Sequence, residues 1–179
     1  MRIIAGKYRG RALASFRGQE IRPTADRVKE SLFQILSARL TNARVLDLFC
    51  GSGALGLECL SRGAREAVFN DVSEESLAVL KKNLAALGES CRAYRLGYED
   101  CLKSVTGTFE LIFCDPPYRE DCMGRALALI KERRLLSEGG LVIFESEREE
   151  SAPAGFEFAD RRNYGRTKIY MLRETEVTS

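Results

Sequence analysis

Residues 113–121 read FCDPPYRED. Asp115, Pro116, Pro117 and Tyr118 follow a run of strand-forming residues, where folding alone has little use for them. Proline offers no donor to a sheet ladder and restricts the residue before it. A carboxylate oxygen and a stiffened backbone carbonyl can together accept hydrogen bonds from a flat amine, and an aromatic ring can stack on the base that carries it. Held in that way, the amine nitrogen is aimed for attack on an activated carbon. Asp115, Pro116, Pro117 and Tyr118 are therefore the candidate catalytic group.

A second group lies upstream. Gly51, Gly53 and Gly56 have the G-x-G-x-x-G spacing, which lets backbone approach a ligand and a helix pack closely. Asp71 follows the next predicted strand, about where a carboxylate grips ribose hydroxyls. Asp47 stands four residues before Gly51. A carboxylate there repels a pyrophosphate and favours a cationic ligand. That argues against a nicotinamide or flavin dinucleotide and for S-adenosylmethionine, which carries a sulfonium and an amino group. Methyl transfer from a sulfonium to an amine needs neither metal nor histidine. The chain contains no histidine, which removes His-based triads and His-ligated metals.

The elements that must hold these residues alternate. A helix is expected over ADRVKESLFQILSARL, with Thr24 as its cap and Val28, Leu32, Ile35 and Leu36 on its apolar face. Strands are expected at VLDLF, EAVFND, CRAYRL, FELIFCD and GLVIFES, the last after a Gly139–Gly140 turn. Helices are expected between them, one capped by Ser73 and stopped by Gly88. FEFADRRNYGRTKIYMLRE reads as two strands around Tyr164–Gly165, too close for a helical crossover and hence an antiparallel edge hairpin. The pattern predicts an open, mostly parallel α/β sheet with its ligand at the C-terminal strand ends. Glu145, at the end of the fifth strand, reads as a solvated terminus.

The chain has 179 residues, 45% hydrophobic and 30% charged, which suits one globular domain. No apolar run approaches membrane-spanning length and no apolar leader begins the chain, so a cytoplasmic location is expected. Cys50, Cys59, Cys91, Cys101, Cys114 and Cys122 form no CxxC pair and read as buried hydrophobes rather than a disulfide framework or a zinc site. No heptads are evident, and a monomer is expected. Net charge is only +2, yet residues 1–30 carry eight basic against three acidic side chains. Such an arm is a candidate contact for a nucleic-acid backbone. Lys7, Arg9 and Arg11 alternate as on a strand, and Arg161, Arg162, Arg166 and Lys168 would extend the same surface. Tyr8 and Phe16 read as packing residues. Residues 1–22 are expected to form a basic β-hairpin extension and 23–179 the catalytic domain.

RIIAGKYRGRAL, IRPTADRVKESLFQIL, VLDLFCGSGALGLECLSRGA, FELIFCDPPY and YGRTKIYML together resemble the bacterial family that methylates guanine N2 in small-subunit (16S) ribosomal RNA, at a guanine of the 966 type. The resemblance runs from Arg2 to about Leu172. It implies a Rossmann-like class I methyltransferase fold, a seven-stranded mostly parallel sheet with an antiparallel C-terminal hairpin, preceded by the basic hairpin and helix. It implies S-adenosylmethionine as cofactor and an assembled or assembling 30S subunit as partner. Arg22, Pro23 and Thr24 would close over cofactor and target. Asp47, Phe49, Gly51, Ser52 and Gly53 would surround the methionine part, with Asp71 and Val72 at the ribose. Asp115 would border the cofactor while Asp115 through Tyr118 hold the guanine amine. Lys7, Arg9, Arg11, Arg27, Tyr164 and Arg166 would meet RNA. The chain departs from its relatives at LGYED, residues 96–100, leaving the adenine to Tyr98, Glu99 or the Gly97 backbone. A DNA or other RNA amino-methyltransferase, a non-catalytic RNA-binding module and a dinucleotide oxidoreductase stay open as alternatives.

Overall fold

The strands lie in the order β3-β2-β1-β4-β5-β7-β6. Their ranges are β1 Arg44–Asp47, β2 Glu66–Asn70, β3 Ala93–Tyr94, β4 Phe109–Cys114, β5 Leu136–Ser146, β6 Phe156–Tyr164 and β7 Thr167–Glu174. The helices are α1 Pro23–Ile35, α2 Ala54–Ser61, α3 Glu74–Leu87, α4 Tyr98–Ser104 and α5 Met123–Glu132, with a single 3-10 turn at Ser37–Arg39. The computed structural model describes residues 1–16, 23–117 and 122–175, and the side chains of α1 from Asp26 onward. β1 to β5 run parallel, and β7 then β6 add antiparallel, giving the expected edge hairpin.

Strand order reverses between β1 and β4, which opens a crevice at their C-terminal ends. Alternation along the strands decides what enters it. Odd-numbered Val45, Leu111, Phe113, Ile143 and Ile169 join the core beneath α1, α2 and α3. Even-numbered Leu46, Ile112, Cys114, Val142 and Phe144 join the core beneath α4 and α5. Asp47, Asp115 and Glu145 carry the odd parity, so all three belong to the α1–α2 side.

Several local expectations are corrected. α1 begins at Pro23, so Thr24 lies within its first turn rather than capping it; proline suits the first helical position because its missing N–H has no partner to lose there. On α1, Ile35 is 37% exposed and Phe33 is fully buried instead. β3 is two residues long, not six. The buried Asn70 side chain replaces its missing ladder, donating to the Leu48 and Leu96 carbonyls and accepting from Leu96 N–H. Gly139–Gly140 is not a turn ahead of β5 but a bulge within it, between the Phe109–Leu136 and Leu111–Leu141 pairs, with Gly139 at φ 70°. The Ser73 cap and Gly88 stop of α3 stand as expected.

At the N-terminus a chain reversal is closed by one bridge, Arg2 to Ala12, and buries Ile3 and Leu13 in the core. Residues 5–10 are bends and turns, so Lys7, Arg9 and Arg11 do not alternate along a strand. Glu58 and Asn83 are among the polar anchors that seat this segment. Glu58, buried in α2, accepts from Ile4 and Ala5 N–H at 2.9 and 3.1 Å and pairs with Lys29 and Arg62. Asn83, buried in α3, accepts from Ala14 N–H at 2.7 Å and donates to the Ala14 and Ser52 carbonyls.

Candidate active site

A cavity of about 560 Å³ opens at the crevice. Its floor is the sheet edge with Asp47, Asp115 and Glu145; its walls are the glycine loop, α1 and the β6–β7 hairpin. Tyr164 Oη lies 2.6 Å from Ser31 Oγ, which fastens the hairpin to α1. Lys29 and Phe16 also face the cavity. Phe16 is thus a cavity residue rather than only a packing one, whereas Tyr8 packs as expected against the core.

The glycine loop follows β1. Cys50 N–H donates to the Asn70 carbonyl and Gly53 N–H to the Cys50 carbonyl. Gly51 has φ 52°, and space at its Cα is open to within 3.9 Å of Phe16. Gly56 serves packing: a Cβ there would lie 2.3 Å from the Phe69 ring. Asp71 holds the loop from the neighbouring strand, accepting from Gly51 N–H at 2.9 Å and Ser73 N–H at 2.8 Å. Val72 beside it is 71% exposed.

Asp47 is buried and accepts from Gly56 N–H at 3.0 Å, in the first turn of α2. Burial outweighs that donor, and the Asp71 charge adds to it, so the carboxyl is pushed up to about 7. Burial also pushes Asp115 well above the usual carboxylate range, followed by the charges of Glu145 and Asp47. This acidic donor set fits a cationic cofactor, which would supply the counter-charge that these carboxylates need. Lys29 is committed elsewhere, to Glu58 at 3.1 Å and the Arg2 carbonyl at 3.0 Å.

The expected residues divide as follows. Asp47, Phe49, Gly51, Ser52, Asp115, Tyr164 and Arg166 line the cavity. Pro116 is buried and Pro117 exposed. Arg22 and Tyr118, and the side chain of Thr24, lie outside the described residues. Tyr98 packs against Phe49 with ring centres 5.7 Å apart and the rings tilted by 38°, and Glu99 pairs with Arg125 at 3.1 Å. Lys7 turns toward Glu89 at 2.7 Å and over the Tyr8 ring, while Arg9, Arg11 and Arg27 are exposed. Glu145 corrects the reading of a solvated terminus: it is half-buried, lines the cavity and acts on Asp115. Its position beside DPPY in a parallel sheet was the signal available. Lys29 and Glu58 were missed because they lie on different helices, at a spacing that carries no period.

Comparison with known proteins decides the family. A family model described as Conserved hypothetical protein 95 matches residues 1–173. Ribosomal RNA small subunit methyltransferase D of Escherichia coli (strain K12) is 36% identical over 154 residues, covering 86% of this chain and 78% of that protein. The chain belongs to the ribosomal RNA small subunit methyltransferase D family. YlbH of Bacillus subtilis, named as a candidate rRNA methyltransferase, is 37% identical over 183 residues, covering 97% of this chain and 99% of that one. A solved structure from E. coli, yhhF, described as a candidate methyltransferase, matches at TM-score 0.87 and 33% identity, with 97% of each chain covered. As a member of the methyltransferase D family, the chain carries Asp115, Pro116 and Pro117 at the expected strand end, in a seven-stranded sheet of class I methyltransferase form. Among the described residues no helix is long and apolar enough to cross a membrane.

Proposed function

We propose that this chain is an rRNA methyltransferase that transfers a methyl group from S-adenosylmethionine to the exocyclic N2 of one guanine in 16S rRNA, of the 966 type, in the small subunit. It would act in the cytoplasm, as a monomer, on an assembled or assembling particle. The observation that carries the reading is the meeting of Asp47 and Asp115 in one cavity, on the same sheet face, beside a glycine loop tied down by Asp71.

Asp47, Phe49, Gly51, Ser52 and Gly53 would hold the methionine part of the cofactor, with Asp71 and Val72 at the ribose and Tyr98 or Glu99 toward the adenine. When bound, S-adenosylmethionine supplies a methyl carbon already activated by its positive sulfur. The Asp115 carboxylate accepts one N2–H and the DPPY backbone accepts the other, so the nitrogen lone pair faces the methyl carbon. Asp115 would take the proton that N2 gives up as the amine is methylated, directly or through water. The raised Asp115 carboxyl suits it to receive that proton. Tyr118 would stack on the base. Arg166, Arg27, Arg9 and Arg11 would meet RNA phosphates, which position the substrate without reading it.

The test uses labelled S-adenosylmethionine with small subunits, stripped 16S rRNA and duplex DNA, followed by digestion to nucleosides. Label in N2-methylguanosine from subunits is expected. Label confined to DNA adenine or cytosine would overturn the substrate, and cofactor retention with no transfer to any of the three would overturn both substrate and target atom.

A further inference from the structure

The cavity holds a carboxylate that the reading above does not use. Glu145 ends β5 beside the residue proposed to hold the amine. The β4–β5 register pairs Phe113 with Ile143 and Cys114 with Phe144, so the next pair in line is Asp115 with Glu145. Neighbouring strands lie roughly 4.8 Å apart. Both side chains carry the parity that faces α1 and α2, and both line the cavity. Two acidic side chains thus stand abreast at one wall, and the Glu145 charge disfavours that of Asp115. Neither the cofactor's sulfonium nor the transfer step calls for the second one.

We propose that Glu145 is the specificity-determining residue of this site, accepting guanine N1–H while Asp115 accepts N2–H. The inference rests on the guanine reading above. Guanine presents N1–H and N2–H as adjacent donors on its Watson–Crick edge. Adenine and cytosine present a ring-nitrogen acceptor beside their amine. Two acceptors abreast therefore match guanine and leave a carboxylate facing a lone pair with the other bases. A buried acceptor without its donor is costly, so this arrangement selects more strongly than shape alone. The two N–H donors also relieve the repulsion between the acids, which gives the pair a physical reason to exist at the target and not elsewhere on the sheet edge.

The experiment compares small subunits reconstituted on 16S rRNA whose target nucleotide is either guanine or 2-aminopurine, introduced by ligation. 2-Aminopurine keeps the 2-amino group and replaces N1–H by an acceptor. The wild-type enzyme is expected to favour guanine in kcat/KM by about 10- to 100-fold, the range of one well-made polar contact. Glu145→Gln, whose amide can donate to N1, is expected to bring that preference to within roughly threefold, while Glu145→Asp retains it. Cofactor affinity measured on each variant shows that the site is folded. A preference unchanged in Glu145→Gln, with both substrates slowed alike, overturns the inference and leaves the guanine reading standing. Absence of wild-type transfer to guanine subunits overturns the guanine reading, and this inference with it.

Discussion

Lys29 Nζ and a carboxylate oxygen of Glu58 lie 3.1 Å apart with both side chains withdrawn from solvent, at 4% and 0% exposure. Lys29 comes from α1, Glu58 from α2, and between them they also hold Arg2, Ile4 and Ala5 of the N-terminal segment. Burial alone would raise the Glu58 carboxyl; the Lys29 charge, Ile4 N–H and Arg62 reverse this and hold it below the ordinary range. Burial lowers the Lys29 ammonium against the pull of Glu58. The pair is thus a hub that sets the cavity's α1 wall.

Removing one partner should be severe. Glu58→Ala is expected to lower stability by about 3–5 kcal/mol, because a buried ammonium and two backbone donors lose their acceptor. The double change Lys29→Met with Glu58→Leu should recover only part of this, since Ile4 and Ala5 N–H stay unsatisfied. Denaturant unfolding of the variants checks both statements; full recovery in the double variant would mean the backbone donors find other acceptors. A depressed carboxyl contributes stability above its unfolded pKa that is lost as pH falls through the folded value, so Glu58 contributes to acid unfolding.

Asn83 joins α3 to two other segments through Ala14 and Ser52. Asn83→Leu keeps the branched heavy-atom shape and removes three hydrogen bonds. A loss of about 2–3 kcal/mol is expected. The larger effect should be on the cofactor, whose affinity should fall because the glycine loop loses its tether at Ser52. Calorimetric binding compared with the thermal shift separates the two; unchanged affinity would show that the loop's other ties, to Asp71 and Asn70, suffice to hold it.

Asp47 gives the site a pH dependence. Its folded pKa of about 7 stands above the unfolded value. The folded protein therefore holds this proton longer, and Asp47 destabilises the ligand-free chain progressively as pH rises from roughly 4 toward neutrality. A cationic cofactor favours the ionised form. Its affinity should rise with pH up to about 7 and then level, with proton release on binding at lower pH. Asp47→Asn should weaken binding and flatten this slope. Titration of S-adenosylmethionine across this range in two buffers of different ionisation enthalpy measures it. Affinity falling with rising pH would refute the assignment.

Asp115→Ala should leave cofactor binding within a fewfold and lower kcat by about 10²–10⁴, the span of a lost proton acceptor that also orients the nucleophile. Single-turnover transfer from preloaded enzyme measures it. An equal loss in affinity with unchanged turnover per complex would assign Asp115 to the cofactor instead.

The sequence by itself determined the element order, the glycine loop, Asp47, Asp71 and the DPPY strand end. These are local signals: periodicity, caps such as Ser73, and residue types that folding does not require. It also carried the antiparallel edge, because Tyr164–Gly165 leaves no room for a crossover. Tertiary structure alone decided the rest. The bulge at Gly139–Gly140 depends on how β5 meets β4, and the length of β3 depends on Asn70 replacing its ladder. Lys7 turned from a presumed strand face to Glu89, across 82 positions of sequence. Glu145 changed from a solvated terminus to a cavity residue once β5 was placed beside β4. Lys29 and Glu58 became partners only when α1 crossed α2. Each of these contacts joins residues whose spacing along the chain carries no period, so only the packing of one element on another could reveal it.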